Sequence, residues 1–132
     1  MTSNESRVHR KRDMAFAEDF EDLKVWQRAR SLTNSIYNAM RSCKDYAFRD
    51  QIQRAATSVM NNIAEGFERR TKKDFAHFLD LAKGSAGEVR SMLYLGEDRG
   101  YITAKAAEPL RIDYKDLSKS IGALAASLRR AQ

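Results

Sequence analysis

Residues 51–93 read QIQRAATSVMNNIAEGFERRTKKDFAHFLDLAKGSAGEVRSML, and this stretch decides the fold. Apolar residues recur every three or four positions on both sides of a short basic segment, residues 69–73. That period is typical of amphipathic helices, whereas the side chains of a β-strand alternate at every second residue. The stretch therefore predicts two helices joined by a turn, with a cluster of cations at the turn.

Glycines and a threonine mark the ends and the interior of these two helices. Gly66 follows the first apolar stripe, at a position where glycine ends a helix without a Cβ penalty, and Thr71 is a suitable N-cap for the second helix. Gly84 and Gly87 lie inside the second helix, where each costs roughly 1 kcal/mol relative to alanine. Because the stripe keeps its phase across them, we expect the helix to continue and the two glycines to permit close contact with a neighbouring backbone.

Two further stripes flank this pair of helices. The first begins at Phe20 and ends at Met40, and the last runs from Leu110 to Leu128 with spacings of 4, 3, 4, 3 and 4 residues. Pro109 lies near the beginning of the last helix, which either starts there or follows a turn over residues 104–108 that kinks at the proline. No stretch alternates long enough to predict a strand.

The four stripes define the fold class. We predict helices at about residues 19–42, 47–65, 72–98 and 103–130. Because short loops make consecutive helices antiparallel neighbours, the predicted fold is all-α, an up-down-up-down four-helix bundle over residues 18–132. Residues 1–17 are polar and lack periodicity, so we expect a flexible, disordered N-terminal tail.

Composition limits the class of protein further. The chain has 132 residues, which predicts one domain, and a single cysteine, Cys43, which rules out a disulfide framework. No window approaches 18 consecutive apolar residues, and no apolar run follows the basic N-terminus, so we expect neither a membrane span nor a secretory signal. These features predict a reduced, cytoplasmic protein.

Candidate catalytic and metal-binding residues are few. The two histidines are His9, in the predicted tail, and His77. Bundles that hold two metal ions on carboxylates need Glu-x-x-His on two helices, and this chain has one Asp-x-x-His, from Asp74 to His77. Cys43 has no histidine that the sequence places near it to act as a base. We therefore predict no enzyme activity, no metal and no cofactor.

The charge points to a different kind of ligand. The formal net charge is +6, and all of the excess lies beyond residue 19. This is either a soluble surface with a Lys/Arg bias or an affinity for nucleic acid. Helix N-termini and Arg side chains both bind phosphate, so the candidate nucleic-acid-binding residues are those of the turn and one on the helix before it: Arg69, Arg70, Lys72, Lys73 and Arg54.

Most aromatic residues fall on the apolar stripes, so we expect affinity for phosphates with little base specificity. Asn62 and Glu65 lie near the end of the second helix, where polar groups on a packed face need partners. They bond either to neighbouring backbone or to the third helix, with Ser85 as a candidate partner, or they contact a ligand directly.

The sequence resembles the bacterial 23S rRNA intervening-sequence protein family. Residues 51–66 follow its Q-I-R-R-A-x-x-S-I-x-x-N-I-A-E-G pattern, and the third helix carries its G-S-x-x-E pattern. Gln53 replaces a usual basic residue, and Met60 stands where many members have proline. The family-like positions of the two patterns that we expect to be structural are Asn62, Glu65, Gly66, Gly84, Ser85 and Glu88.

The resemblance implies a four-helix bundle that assembles into a ring, a homopentamer. It also implies similarity to the accessory proteins of diversity-generating retroelements, which bind a reverse transcriptase and nucleic acid. Two functions follow as expectations. The first is a non-enzymatic protein that binds structured RNA, ribosomal RNA among the candidates; the alternative is a scaffold that docks a partner enzyme such as a reverse transcriptase, with weak or no binding of nucleic acid.

Overall fold

The computed structural model describes residues 17–131, and these residues form four α-helices and no β-strand. We number the helices α1 (Lys24–Ala39), α2 (Tyr46–Phe67), α3 (Lys72–Asp98) and α4 (Ala104–Arg130). The predicted all-α fold with four helices is confirmed. The predicted tail, residues 1–17, lies outside the described residues except for Ala17, which is buried.

The first helix starts later than the apolar stripe predicts. A short 3-10 helix, Phe20–Asp22, precedes α1, and Leu23 between them is extended, with φ −72° and ψ 124°. The Asp22 carboxylate accepts hydrogen bonds from the backbone N–H groups of Glu18 (3.0 Å) and Asp19 (3.1 Å). The bond from Asp19 N is half of a capping box that starts the 3-10 helix, and the extended backbone at Leu23 separates this short helix from α1.

The helices pack side against side: α1 contacts α2 and α4, and α3 also contacts α2 and α4. Along α2 and α3, Ser58 contacts Ser85, whereas Gly66 near the end of α2 contacts Phe78 near the start of α3. Residue numbers therefore rise along one helix as they fall along the other. The pairs between α3 and α4 show the same antiparallel relation: Glu97 with Arg111, and Asp80 with Arg129.

The core consists of the predicted stripes. Burying a large apolar side chain stabilises the fold by about 1.5–3 kcal/mol, so the stripes dominate the free energy of folding. The largest fully buried side chains come from all four helices and from Met40, which follows α1: Ile36, Met40, Ile52, Ile63, Phe67, Phe75, Leu79, Leu93, Tyr114, Leu117, Ile121 and Leu128.

The glycines have roles different from those predicted. Helix α2 continues through Gly66 to Phe67, so Gly66 does not end the helix. A Cβ on Gly66 would instead lie 2.7 Å from Phe78 Cβ, which shows that this glycine permits the close approach of α2 and α3. A Cβ on Gly84 or Gly87 would meet nothing within 4 Å among the described residues, so the predicted close contact with a neighbouring backbone is wrong there. Gly100, with φ 75°, does end α3.

Pro109 does not mark the start of the last helix. Helix α4 begins at Ala104, where Thr103 Oγ1 accepts a hydrogen bond from Ala106 N at 3.2 Å, and it includes Pro109 in its second turn. A proline there lacks the N–H group that would bond to the carbonyl four residues earlier. The turn over residues 104–108 that the sequence offered as one alternative is therefore the first part of α4.

At one end of the bundle, Asp45 joins the loop before α2 to the loop before α4. Its carboxylate caps α2 by accepting from Phe48 N (3.1 Å) and also accepts from Tyr101 Oη (2.7 Å). These hydrogen bonds, that from Tyr101 first, lower the pKa of Asp45 below the ordinary value of 3.8. The ring of Tyr101 packs edge-on against Phe48, with 5.1 Å between ring centroids.

We expect Asp45→Asn to flatten the loss of stability in acid. A carboxylate whose pKa is lowered by folding contributes fully at neutral pH, and this contribution is lost as the pH falls below about 4, through the pKa of the folded state. Asparagine also caps helices but does not titrate in this range. The measurement is the midpoint of thermal unfolding between pH 7 and pH 3.

Tyr101→Phe is the matched control, because it keeps the ring on Phe48 and removes only the hydroxyl that bonds to Asp45. We expect this variant to reduce the fall of the thermal midpoint in acid only in part, since Phe48 N still donates to the Asp45 carboxylate. Identical acid limbs for the wild-type protein and Asp45→Asn would show that Asp45 does not contribute to the pH dependence.

Candidate nucleic-acid interface

The predicted cations lie on a tight turn between α2 and α3. Arg69 N donates to Gly66 O at 3.1 Å, which closes the last turn of α2. Thr71 then caps α3 as predicted, because its Oγ1 accepts from Asp74 N at 3.0 Å. We call Arg69, Arg70, Lys72 and Lys73 the turn cations.

Arg69 is held against the protein surface. One of its terminal nitrogens lies 2.9 Å from Glu65 Oε1, an i,i+4 ion pair along α2. Its guanidinium carbon also lies 4.6 Å from the centre of the Phe78 ring. Both partners are near solvent, so each contact is weak, but together they hold the Arg69 side chain along the α2–α3 junction.

The other turn cations lie at the N-terminus of α3. Arg70 and Lys73 are exposed, and Lys72 is half-buried. Lys72 and Lys73 occupy the first turn of α3, where the helix macrodipole disfavours positive charge. An anion bound at this turn would be stabilised by the cations and by the same dipole.

Arg54 does not belong to this cluster. It lies on α2, exposed, fifteen residues before Arg69. At 1.5 Å per residue, the two positions are about 22 Å apart along the helix. One phosphate cannot contact both, although a longer nucleic acid could.

The motif residues link α2 to α3 through hydroxyl and amide groups. Asn62 Nδ2 donates to Ser58 O (2.8 Å) and to Ser58 Oγ (2.9 Å). The Ser58 and Ser85 hydroxyl oxygens are 2.9 Å apart and share a hydrogen bond. Asn62 therefore bonds to the backbone of its own helix and reaches Ser85 through Ser58, whereas Glu65 bonds to Arg69. Gly84 and Glu88 are exposed on α3.

The structure places two further cations at the same end of the bundle. Arg129 and Arg130 are in the last turn of α4. Arg129 donates to both carboxylate oxygens of Asp80, and this pairing keeps the pKa of Asp80 below its usual range. These two residues could have been predicted from the sequence, because an antiparallel bundle places the end of α4 beside the start of α3.

No group of three or more His, Cys, Asp and Glu side chains that could hold a metal ion occurs in residues 17–131. His77 is exposed with its ring near that of Phe78, and Cys43 is buried with its sulfur 3.6 Å from Asp45 O. Within the same described part of the chain, every helix is too short or too polar to cross a bilayer.

These observations agree with the comparisons with known proteins. The family model described as 23S rRNA-intervening sequence protein matches residues 21–123, which is more than half of the sequence. The chain therefore belongs to this family, as the motifs predicted. No curated protein matches it.

A solved structure supports the same fold. It is the crystal structure of a protein with unknown function from the S23 ribosomal protein family of Bacteroides thetaiotaomicron VPI-5482. The TM-score is 0.72 at 25% identity, and the similarity covers 76% of this chain and 97% of that chain. Neither the family description nor this neighbour indicates a catalytic activity.

Proposed function

We propose that this protein is a non-enzymatic, basic helical-bundle protein that binds structured RNA, ribosomal RNA among the candidates, in the cytoplasm. The observation that carries the proposal is the position of Lys72 and Lys73 in the first turn of α3. Positive charge at that position opposes the helix dipole, so the dipole itself does not favour lysine there. Phosphate groups of RNA would be favoured there by the cations and by the N-terminus of α3.

The remaining predicted cations extend this surface. Arg70 is exposed beside the two lysines, and Arg69 keeps part of its guanidinium near solvent while it pairs with Glu65. Arg54, about 22 Å away along α2, would contact a separate phosphate. A structured RNA presents phosphates over such distances, which a single small anion does not.

Self-association is part of the proposal. Leu81 and Leu95 are 44% and 49% exposed, and their spacing places both on the outer side of α3. Gly84, between them, has open space around it. Exposed leucines of this kind favour contact with another protein surface. A ring such as the pentamer implied by the resemblance would repeat the turn cations and raise the affinity by avidity.

The second candidate is a scaffold that docks a partner enzyme such as a reverse transcriptase. The observation that favours it is a set of exposed apolar side chains at the end opposite the turn cations, Leu95 on α3 and Ile112 on α4, the latter 53% exposed. The scaffold predicts that binding of structured RNA is weak and no stronger than binding of unrelated single-stranded DNA.

We expect Arg70→Glu/Lys73→Glu to weaken binding of a structured RNA hairpin by about 50-fold near 0.1 M salt. The two substitutions remove two phosphate contacts, so the slope of log affinity against log salt should fall by about 2. Both residues are exposed, so the thermal midpoint should change little. The measurement is a titration at several salt concentrations. Light scattering checks that the variant and the wild-type protein have the same oligomeric mass.

The matched control is Lys105→Glu/Lys115→Glu, two exposed lysines of α4 away from the turn. Each substitution of a cation by glutamate lowers the formal net charge by 2, so both double variants have a net charge of +2 in place of +6. A loss of affinity confined to the first variant assigns the site to the turn. Equal losses in both variants, or weak binding that vanishes at physiological salt, would contradict the proposed function and favour the scaffold.

A further inference from the structure

Two of the exposed tyrosines lie on the helices α1 and α2. Tyr37 is 45% exposed and Tyr46 is 60% exposed. The apolar stripes predict aromatic residues in the core, and these two are outside it. Single apolar residues on a surface are common, so these exposed tyrosines indicate a binding surface only if neighbouring side chains suit the same ligand.

Helix geometry places Tyr37 on the side of α1 that faces α2. At 100° per residue, Tyr37 lies within roughly 40° of Trp26 and Arg30 around the helix axis. Thr33 lies on the adjoining strip and contacts α2, because its Oγ1 lies 3.2 Å from Ala56 O. Trp26, Arg30 and Tyr37 therefore line one wall of the groove between α1 and α2.

The wall from α2 lies at the Tyr37 end of the groove, because the antiparallel register that sets Thr33 beside Ala56 places Gln53 across from Tyr37 and Tyr46 past the end of α1. Tyr46, Arg49 and Gln53 lie within roughly 60° of one another around that helix, on the strip adjoining Ala56. Ala56 is the residue whose carbonyl oxygen is close to Thr33 Oγ1. Together the two walls form what we call the α1–α2 groove, which consists of Trp26, Arg30, Tyr37, Tyr46, Arg49 and Gln53.

Each end of the α1–α2 groove pairs an arginine with an aromatic ring. The Arg49 guanidinium carbon is 4.7 Å from the Tyr46 ring centre, and that of Arg30 is 5.7 Å from the Trp26 ring centre. Arg49 pairs with Asp50 at 3.2 Å, and the two side chains are 32% and 53% exposed. Such an exposed pair is weak, so Arg49 can exchange Asp50 for a phosphate, and Arg30 is exposed to the same solvent.

We propose that the α1–α2 groove binds single-stranded nucleic acid, with bases stacked on Tyr37 and Tyr46 and phosphates contacted by Arg30 and Arg49. Cations interleaved with exposed rings are the combination that single strands require, because every base has a face that can stack. The wall from Trp26 to Tyr37 is about 16 Å long, which suits a short segment of about four nucleotides. This inference rests on the proposed function only in taking nucleic acid as the ligand; it uses a different surface and a different interaction.

Trp26 provides a local reporter, because it is the one tryptophan of the chain and lies half-buried in the α1–α2 groove. A 12-nucleotide oligouridine titrated into the protein should quench its fluorescence. Tyr37→Ala/Tyr46→Ala should weaken oligouridine binding by about 30-fold, from the loss of two stacked bases, while hairpin binding changes little. Tyr37→Phe/Tyr46→Phe keeps both rings and should bind as the wild-type protein does.

Tyr94→Ala is the matched control. Tyr94 is 58% exposed and lies beneath Arg111, 4.3 Å from its guanidinium carbon, but it belongs to α3 and is outside the groove. We expect this variant to bind oligouridine normally. A 12-unit abasic strand, which has the phosphates without the bases, should bind at least tenfold more weakly than oligouridine.

Three results would overturn the inference: wild-type affinity for oligouridine in Tyr37→Ala/Tyr46→Ala, equal affinity for the abasic strand, or equal quenching of Trp26 by polyglutamate. The last would indicate a general site for acidic polymers. Failure of the proposed function is read separately, from hairpin RNA and the variant Arg70→Glu/Lys73→Glu. If the wild-type protein does not bind the hairpin, the proposed function fails, and the tyrosine variants still test oligouridine binding in the groove.

Discussion

Gly66→Ala should lower the free energy of unfolding by about 3 kcal/mol, at the upper end of the usual cost of overpacking a core. The new Cβ would lie 2.7 Å from Phe78 Cβ and 2.9 Å from Phe75 Cδ1. Phe78 Cβ is fixed to the backbone of α3, and the Phe75 ring is fully buried, so neither atom can yield without moving a helix. Denaturant unfolding with an unchanged m-value would measure this loss.

Gly84→Ala is the matched control, and its expected effect has the opposite sign. It lies in the interior of α3, and an added Cβ would meet nothing within 4 Å. Alanine is favoured over glycine in a helix by about 1 kcal/mol, so this variant should be more stable than the wild-type protein. If Gly66→Ala is as stable as Gly84→Ala, the close approach of α2 and α3 at Gly66 does not constrain the sequence.

The contrast between these glycines shows where sequence reasoning reaches its limit. The phase of the stripes predicts that residues 72–98 are helical, because periodicity is a property of one helix. What a glycine contacts depends on where two helices cross. The sequence of one helix does not specify that crossing point. The sequence consequently predicted close packing at Gly84 and Gly87 and helix termination at Gly66, and the structure shows close packing at Gly66.

Local signals allowed better predictions at the candidate site. Thr71 was predicted as a cap because its hydroxyl needs only the backbone three residues later. The pairing of Arg69 with Glu65 was also accessible, since residues four apart face each other on a helix. The arginine stacked on Tyr46 was not predicted, because Tyr46 lies just before the predicted start of the second helix and belongs to none of the apolar stripes.

Phe67→Ala should lower the free energy of unfolding by about 4 kcal/mol. Phe67 is fully buried in the last turn of α2, and its ring meets that of Phe75 edge to face, with centroids 5.9 Å apart and planes at 86°. Truncation removes the buried ring and leaves a cavity between α2 and α3, near the turn that joins them. The close contact of Phe75 with Gly66 keeps α3 from collapsing into that cavity, so relaxation should recover little of the loss. Denaturant unfolding of the variant measures it.

A double-mutant cycle separates the ring pair from simple burial. The variants Phe67→Leu, Phe75→Leu and their combination retain apolar volume, and an edge-to-face pair should give a coupling free energy of about 1 kcal/mol. Tyr94→Ala, which removes an aromatic ring that is 58% exposed, should change stability by no more than about 0.5 kcal/mol. A loss below about 1 kcal/mol for Phe67→Ala would mean that α2 and α3 close over the missing ring. The turn that presents the cations would then be held by its backbone hydrogen bonds and the Thr71 cap, not by the aromatic contact beneath it.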